Sequence, residues 1–252
     1  MYLYNSAGYP AEKRSRQDSS GLNTSSLLGL GRARTRVRHF TCSDADIASV
    51  SAESVVGRAV NGDELRAALE DAVGRALTAI RAAADALRRS RRTKAVRDLF
   101  CEVFGVLPEF VPSWRPAGKT WDRGDVVRAR FQFVAKLLDG RFIRYFCWGS
   151  AAHCPECTGQ PETYFACSSF GKRYVICLGA GFWKAFRDGD QATMASTLLH
   201  EALHIYFGTL IAHGGGRFDN ANCYERFVVL FNGLFLHPAT DAACARFTER
   251  CK

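Results

Sequence analysis

The stretch 198–208, Leu-Leu-His-Glu-Ala-Leu-His-Ile-Tyr-Phe-Gly, limits what this chain can fold into more than any other part of the sequence. Its apolar residues predict a buried helix, and a buried helix holds two histidines and a glutamate only when they have partners. On a helix, His200 and His204 lie one turn apart on the same face, so both imidazoles can reach one ion. Glu201 lies beside them, where it can take a proton from a water molecule. The stretch therefore predicts a buried zinc site with Glu201 as general base.

The size and composition of the chain fit one sizeable globular domain with a tail. The chain has 252 residues, of which 47% are hydrophobic and 23% charged, as is ordinary for a folded protein in water. No uninterrupted apolar run approaches the roughly 20 residues that cross a bilayer. We therefore expect no membrane span.

Composition divides the chain near its amino end. Residues 1–40 are rich in Ser, Gly, Arg and Asn, which predicts a disordered or linker-like tail. Residues 41–252 predict one domain of class α+β, with a helical part over 41–138 and a part with the sheet and the active site over 139–252. The expected architecture is mostly helical, with a small β-sheet ahead of the metal-binding helix.

Capping residues and apolar periodicity predict where the helices and strands lie. The segment 61–64, Asn-Gly-Asp-Glu, is a capping-box pattern, and apolar residues follow it at helical spacing as far as residue 87. Asp190 predicts the start of the metal helix over 191–207, and Asp219 or Asn220 the start of the next helix. Further helices are expected from Ser43, over 94–104, over 125–138 and around Cys244 and Cys251, and strands within 141–148, 163–167 and 173–178.

The net charge of +9 comes largely from the tail and from one basic run over 88–97. Such charge suits anionic partners, but neither segment has the interleaved aromatic residues of a single-strand-binding surface. We interpret both segments first as solvated charge, with nucleic-acid contact as the less favoured alternative. The basic residues of the run are Arg88, Arg89, Arg91, Arg92, Lys94 and Arg97.

Ten cysteines are many for an intracellular enzyme of this length. An even number permits several disulfides and an oxidising destination, although the sequence does not determine the pairing. Cys154 and Cys157 form a Cys-x-x-Cys pair, for which disulfides or plain thiols are favoured over a redox dithiol or a structural metal. Residues 1–17 lack the apolar core of a secretory signal. We expect secretion or delivery by a non-classical route, with a cytoplasmic location as the alternative.

Four segments, in the same order along the chain, resemble motifs of the aspzincins, the deuterolysin and lysine-specific metalloendopeptidase family. They resemble the family's strand and Cys-Gly-x-Phe-Trp turn, its Gly-Thr-Leu-x-His-Glu-x-x-His helix, the start of its Gly-Thr-x-Asp motif, and its Asn-Ala-Asp-x-Tyr-Glu-x-Phe helix. The likeness is firm over 172–231, loose from residue 65 and absent in the tail. It implies a zincin-like metallopeptidase fold and a Zn²⁺ cofactor. The four segments are 174–183, 196–204, 208–209 and 220–227.

The resemblance implies an aspartate as third zinc ligand, but Ile211 stands where Gly-Thr-x-Asp places it. His213 lies nine positions after the second histidine of the motif (213 − 204), the offset that the family uses for its aspartate, and imidazole is a common zinc ligand. Glu225 is a rival, because the segment around it resembles the Asn-x-x-Glu ligand helix of gluzincins. Asp219 is a second rival, although a helix cap explains it without metal. We predict His213 and keep the other two as alternatives.

The resemblance also bears on the oxyanion and on the substrate pocket. The family's tyrosine for the oxyanion has Gly216 at its offset here, so Tyr224 is the nearest substitute, with a core tyrosine as the alternative interpretation. Lysine-specific members carry an acidic pair where this chain has Asn222 and Glu225. Because only one acid of that pair is kept, the sequence supports a lysine preference weakly.

The sequence predicts a zinc-dependent endopeptidase that acts on a protein or peptide, with Glu201 as general base for a metal-activated water. The linker-like tail and the missing signal motivate a second expectation, use as a secreted toxin or effector. The alternative function is a basic nucleic-acid- or protein-binding module with a structural or vestigial metal site. The sequence leaves the substrate, the cleavage specificity and the oligomeric state open.

Overall fold

The computed structural model describes residues 37–52, 60–111, 121–140, 142–148, 154, 165–169, 174–207, 216–234 and 244. Its helices are α1 (Asp44–Ala52), α2 (Gly62–Ala86), α3 (Lys94–Phe104), α4 (Arg123–Asp139), α5 (Ala180–Arg187), α6 (Gln191–Phe207) and α7 (Ala221–Phe231). Its strands are β1 (His39–Thr41), β2 (Arg144–Phe146), β3 (Ala166–Ser169) and β4 (Val175–Leu178). The predicted α+β class, mostly helical with a small sheet, is confirmed. Within these ranges no helix is both long enough and apolar enough to cross a membrane.

The four described strands form one mixed sheet in the order β1-β2-β4-β3. β1, β2 and β4 are parallel, whereas β3 runs antiparallel to β4 at one edge. All four residues of β4 are buried, as expected for an inner strand covered on both faces. β2 and β4 lie within segments that the sequence predicts as strands, and β3 overlaps the third such segment. The sheet thus precedes α6 as predicted, and β1 is the one described strand that the sequence does not predict.

β1 occupies the end of the predicted tail, so the predicted boundary at residue 40 is wrong for residues 37–40. His39–Thr41 pairs with Arg144–Phe146, and Val37 is buried. The disulfide Cys42–Cys147, with a sequence separation of 105, joins the ends of the two strands. Three residues are too few to show an alternating pattern, and the partner of this strand lies far away in sequence. The sequence therefore gives no local sign of β1. The rest of the predicted tail lies outside the described residues.

Helix α2 is the long amphipathic helix that the sequence predicts. The Asn61 side chain accepts a hydrogen bond from the backbone N–H of Glu64 at 2.9 Å, and the Glu64 carboxylate accepts one from the N–H of Asn61 at 3.3 Å. This capping box satisfies two N–H groups that a helix start leaves unpaired. The apolar face of α2 packs on α4 and α6 in one hydrophobic core, which the predicted helical and active-site parts therefore share. Its larger buried residues are Leu65, Leu69, Val73, Leu77 and Ile80.

Helix α6 starts where the sequence predicts. The Asp190 carboxylate accepts hydrogen bonds from the backbone N–H of Thr193 at 3.0 Å and from its hydroxyl at 2.6 Å. The segment before it, predicted as a turn, is instead helix α5. Phe182 and Trp183 of α5 are fully buried, and α5 packs on α6. Burial of these two rings against the core stabilises α5. The motif resemblance holds no information on that burial and so did not predict a helix.

Arg92 shows that the basic run is not solvated throughout. Its side chain is 2% exposed, and its guanidinium donates to both oxygens of Asp122, at 2.7 and 2.9 Å. Its Nε donates to the carbonyl of Leu87 at 2.9 Å. Asp122 also caps α4 by accepting from the N–H of Asp125. The interpretation as solvated charge is therefore wrong for Arg92, which joins the α2–α3 connection to the start of α4, whereas the other five basic residues of the run are exposed.

The cysteines that the structure describes are all in disulfides. Besides the bond between β1 and β2, Cys154 pairs with Cys177 and Cys223 pairs with Cys244. Because the sulfur of Cys154 is used in this bond, a redox dithiol or a thiolate metal site at the Cys-x-x-Cys pair is excluded. The disulfide interpretation is confirmed for Cys154, whereas Cys157 lies outside the described residues.

We expect Gly105→Ala to lower the free energy of unfolding by about 1–2 kcal/mol, the usual penalty for a side chain in the left-handed region. Gly105 ends α3 with φ at 78°, and a Cβ there would lie 3.1 Å from the guanidinium of Arg217. Gly216→Ala is the matched control, since its φ is −58° and a Cβ would meet nothing within 4 Å. Urea unfolding measures both variants. Equal midpoints for the two would contradict the prediction.

Candidate metal centre

Helix α6 holds His200, Glu201 and His204 in the interior, with exposed fractions of 6%, 8% and 6%. The helix is enclosed by α2, α4, α5, α7 and the edge strand β3. The apolar residues of the stretch are buried as far as Ile205, whereas Tyr206 and Phe207 at the end of the helix are half-buried. The three polar residues therefore lie where a polar group needs a partner, as the sequence predicts.

The imidazoles of His200 and His204 point toward one another. Their Nε2 atoms lie 3.0 Å apart, and their ring centroids are 4.6 Å apart. Two imidazole nitrogens bound to one tetrahedral zinc ion would be separated by roughly 3.3 Å. The pair therefore fits a shared zinc ion with a shift of only a few tenths of an ångström.

Glu225 of α7 contacts His200 on the other side of the ring. Its Oε2 lies 2.9 Å from Nδ1 of His200, and the residue is 4% exposed. Burial lowers the pKa of His200, but the hydrogen bond and charge of Glu225, together with the charge of Glu201, outweigh it and raise the pKa above its ordinary value. The tertiary fold thus joins two residues that lie 25 positions apart in sequence.

Glu201 interacts with His200 on its own helix and with Ser168 of the sheet. Burial raises its pKa, while the nearby His200 and the hydroxyl and backbone of Ser168 act in the opposite direction. Ser168 belongs to β3 and is itself buried. The sequence does not identify Ser168 as a neighbour of the site, because no motif marks it and only the packing of β3 on α6 brings it there.

The third ligand is not found among the described residues. Within the described ranges, no group of three or more His, Cys, Asp or Glu side chains is arranged to hold a metal ion. The predicted ligand His213 lies outside those ranges. Asp219 lies in the 3₁₀ turn Arg217–Asp219, with its side chain 58% exposed and 3.7 Å from Arg130. The cap of α7 is Asn220, so the capping explanation of Asp219 is wrong.

Tyr224 is fully buried among aromatic rings, and burial raises its pKa to about 12. Its hydroxyl donates to the carbonyl of Phe218 at 3.0 Å and accepts from Arg130 at 2.5 Å. The guanidinium of Arg130 also lies over the ring of Phe207 at the end of α6. These contacts fit the alternative interpretation of a core tyrosine, and the oxyanion role stays a prediction. No motif singles out Arg130, which α4 contributes.

Asn222, the predicted pocket residue, lies in the first turn of α7 and is 2% exposed. Its backbone N–H and its side-chain amide donate to the Asn220 side chain at 2.9 and 3.1 Å. Asn222 therefore shares a helix with Glu225, one turn before it. A pocket role for the two residues stays a prediction.

A comparison of the chain with models of known protein families finds no match, and neither does a comparison with curated protein sequences. The likeness to the aspzincins consequently rests on the four motif segments. The geometry around α6 is an observation that does not depend on those segments.

Proposed function

We propose that this chain is a zinc-dependent endopeptidase with a zincin-like fold and an aspzincin-like site. The observation that carries the proposal is the pair of Nε2 atoms of His200 and His204, 3.0 Å apart on a buried helix with the carboxylate of Glu201 beside them. Imidazole nitrogens suit zinc, and a catalytic site of this kind needs three of the chain's ligands. In this proposal the third ligand is His213.

When bound, zinc supplies a Lewis acid that polarises the scissile carbonyl and makes a water molecule acidic near neutral pH. Glu201 accepts the proton of the attacking water and passes it to the amine nitrogen as the C–N bond breaks. Glu201 is only 8% exposed, so its carboxylate has little contact with bulk water during this transfer. The role of general base thus gives a reason for a carboxylate to be buried beside two histidines, where burial by itself is unfavourable.

The position of β3 supports a peptide as substrate. β3 is the outermost described strand on its side of the sheet, and its residue Ser168 lies beside Glu201. An edge strand offers backbone groups with which an extended peptide can pair. A peptide paired in this way would run past the carboxylate that acts as general base.

The ion pairs of the basic run weigh against a nucleic-acid-binding module. Phosphate binding depends on cations that can replace the counterions of the nucleic acid, and each cation of the run lies against a carboxylate, with Asp85 shared by Arg88 and Arg91. The pairs are Arg88–Asp85, Arg89–Asp125, Arg91–Asp85, Arg92–Asp122, Lys94–Asp98 and Arg97–Glu109.

The disulfides support an oxidising destination as part of the same proposal. Disulfides persist in secreted and periplasmic proteins and are rare in a reducing cytosol. This fits secretion or delivery out of the cytosol better than a cytoplasmic location. Use as a toxin or effector stays a prediction from the sequence.

The proposal is tested by zinc content and by hydrolysis of an unfolded protein such as labelled casein. We expect stoichiometric zinc, and hydrolysis that a chelator stops and added zinc restores. His200→Ala and His204→Ala should lose most of the zinc, because each removes one ligand of the pair. His39→Ala is the matched control, since His39 is exposed in β1.

Two results would contradict the proposal: an unaltered protein that retains no stoichiometric zinc, or hydrolysis that continues in chelator. Steeply salt-dependent nucleic-acid binding without hydrolysis would favour the alternative function.

A further inference from the structure

Glu225 approaches His200 from the side of the ring that faces away from His204. The Nδ1 and Nε2 atoms of an imidazole form their hydrogen bonds or metal bonds in divergent directions. Nε2 of His200 is 3.0 Å from His204, whereas Nδ1 is 2.9 Å from Oε2 of Glu225. A group bound to the same ion as the two histidines has to lie on the Nε2 side of both rings. The contacting oxygen of Glu225 lies on the Nδ1 side.

We propose that Glu225 is a positioning residue that fixes the tautomer and the orientation of His200, and that it is not the third zinc ligand. The inference rests on the proposed function, since it assigns Glu225 a task at the same zinc site. Of the two roles that the sequence leaves open for Glu225, third ligand and pocket residue, the inference excludes the first.

The tautomer is the first part of this role. A histidine binds metal through a nitrogen that carries a lone pair, so the proton of the neutral ring of His200 has to be on Nδ1. A free neutral imidazole side chain prefers the proton on Nε2. A carboxylate at 2.9 Å from Nδ1 accepts a hydrogen bond from that nitrogen and so favours the form that leaves Nε2 available.

The orientation of His200 is the second part, because the carboxylate is itself held in place. Helix α7 is capped by Asn220 and joined to Cys244 by the disulfide of Cys223. Its residues Tyr224 and Phe227 are fully buried on either side of Glu225 in sequence. A hydrogen bond that His200 donates to a carboxylate on a rigid helix restricts rotation of the ring, which lowers the entropy lost when a metal binds.

The experiment compares Glu225→Gln and Glu225→Ala with the unaltered protein. Zn²⁺ affinity is measured by chelator competition, and near-ultraviolet circular dichroism checks the fold. We expect Glu225→Ala to bind zinc about 10–100-fold more weakly, as is usual when a partner of a ligating histidine is lost. Glu225→Gln should lose less, because its amide oxygen still accepts from Nδ1. Glu102→Gln is the matched control. Glu102 of α3 pairs with Arg226, which lies next to Glu225 on α7, and Glu102 itself is outside the site.

Two further measurements do not depend on affinity. In zinc-free protein labelled with ¹⁵N-histidine, we expect His200 to carry its proton on Nδ1, and Glu225→Ala to shift it toward Nε2. With Co²⁺ in place of zinc, the visible spectrum should keep the same band pattern in all variants, because the set of ligands is unchanged.

Different results distinguish the possible failures. A band pattern that changes in both variants, with equally severe loss of affinity, would show that Glu225 is a ligand and overturn the inference. Unchanged zinc affinity and tautomer in Glu225→Ala would also overturn it. These two results overturn the inference and leave the proposed function in place. If the unaltered protein binds no stoichiometric zinc, the proposed function and the inference both fail.

Discussion

Glu201→Gln is expected to abolish peptide hydrolysis while the protein keeps its fold and its zinc. The substitution preserves the size of the side chain but removes the carboxylate that accepts and returns the proton. Loss of a general base of this kind lowers the rate by about 10²–10⁴-fold. Zinc binding should persist because His200 and His204 are unchanged, with Nε2 atoms 3.0 Å apart.

Turnover of a fluorogenic peptide by the zinc-loaded protein measures the effect of Glu201→Gln, and atomic absorption measures the metal. Glu102→Gln again serves as the control, because the same change of charge is made on a side chain that is 58% exposed. Hydrolysis at an undiminished rate in Glu201→Gln would show that the buried carboxylate is not the base. Loss of zinc together with activity would instead make it part of the metal centre.

Arg92→Ala is expected to lower the free energy of unfolding by about 3–5 kcal/mol, the range for breaking a buried ion pair from one side. The Arg92 and Asp122 side chains are 2% and 6% exposed. Removing the guanidinium leaves the Asp122 carboxylate buried with its main cation gone, beside the first turn of α4. It also removes the donor to the carbonyl of Leu87.

Arg91→Ala is the comparison for Arg92→Ala, because the two residues are adjacent and the Arg91 side chain is 59% exposed in its pair with Asp85. Exposed pairs contribute about 0–1 kcal/mol, so this variant should unfold near the midpoint of the unaltered protein. Urea unfolding followed by fluorescence gives both values. Losses of similar size would mean that the Arg92 pair does not hold the α2–α3 connection against the start of α4.

Prediction from sequence succeeds where the deciding interactions are local. The cap at Asn61, the stop of α3 at Gly105 and the cap at Asp190 each involve residues within a few positions of one another. The apolar spacing of α2 and α6 likewise lies within a single segment. For the same reason the pair His200 and His204 could be assigned to one helix face before any tertiary structure was known.

Features that depend on distant segments were not predictable in this way. β1 exists because β2, more than a hundred residues later, supplies its partner strand. Arg92 looks like its exposed neighbours in sequence and differs only because Asp122 comes to lie against it. The resemblance predicts a turn where α5 lies. The helix is stabilised by burial of Phe182 and Trp183, which depends on the whole core and not on the local sequence.

The sequence by itself determined the helix that carries His200, Glu201 and His204, because spacing along a helix is a local property of the chain. Only the tertiary structure decided what surrounds them: Ser168 of β3 beside the glutamate, and Glu225 of α7 at Nδ1 of the first histidine. Which nitrogen of His200 faces its partner depends on how α6 and α7 pack together. Spacing along the sequence does not predict that packing, because the free energy of burial depends on surfaces that meet only in the folded chain.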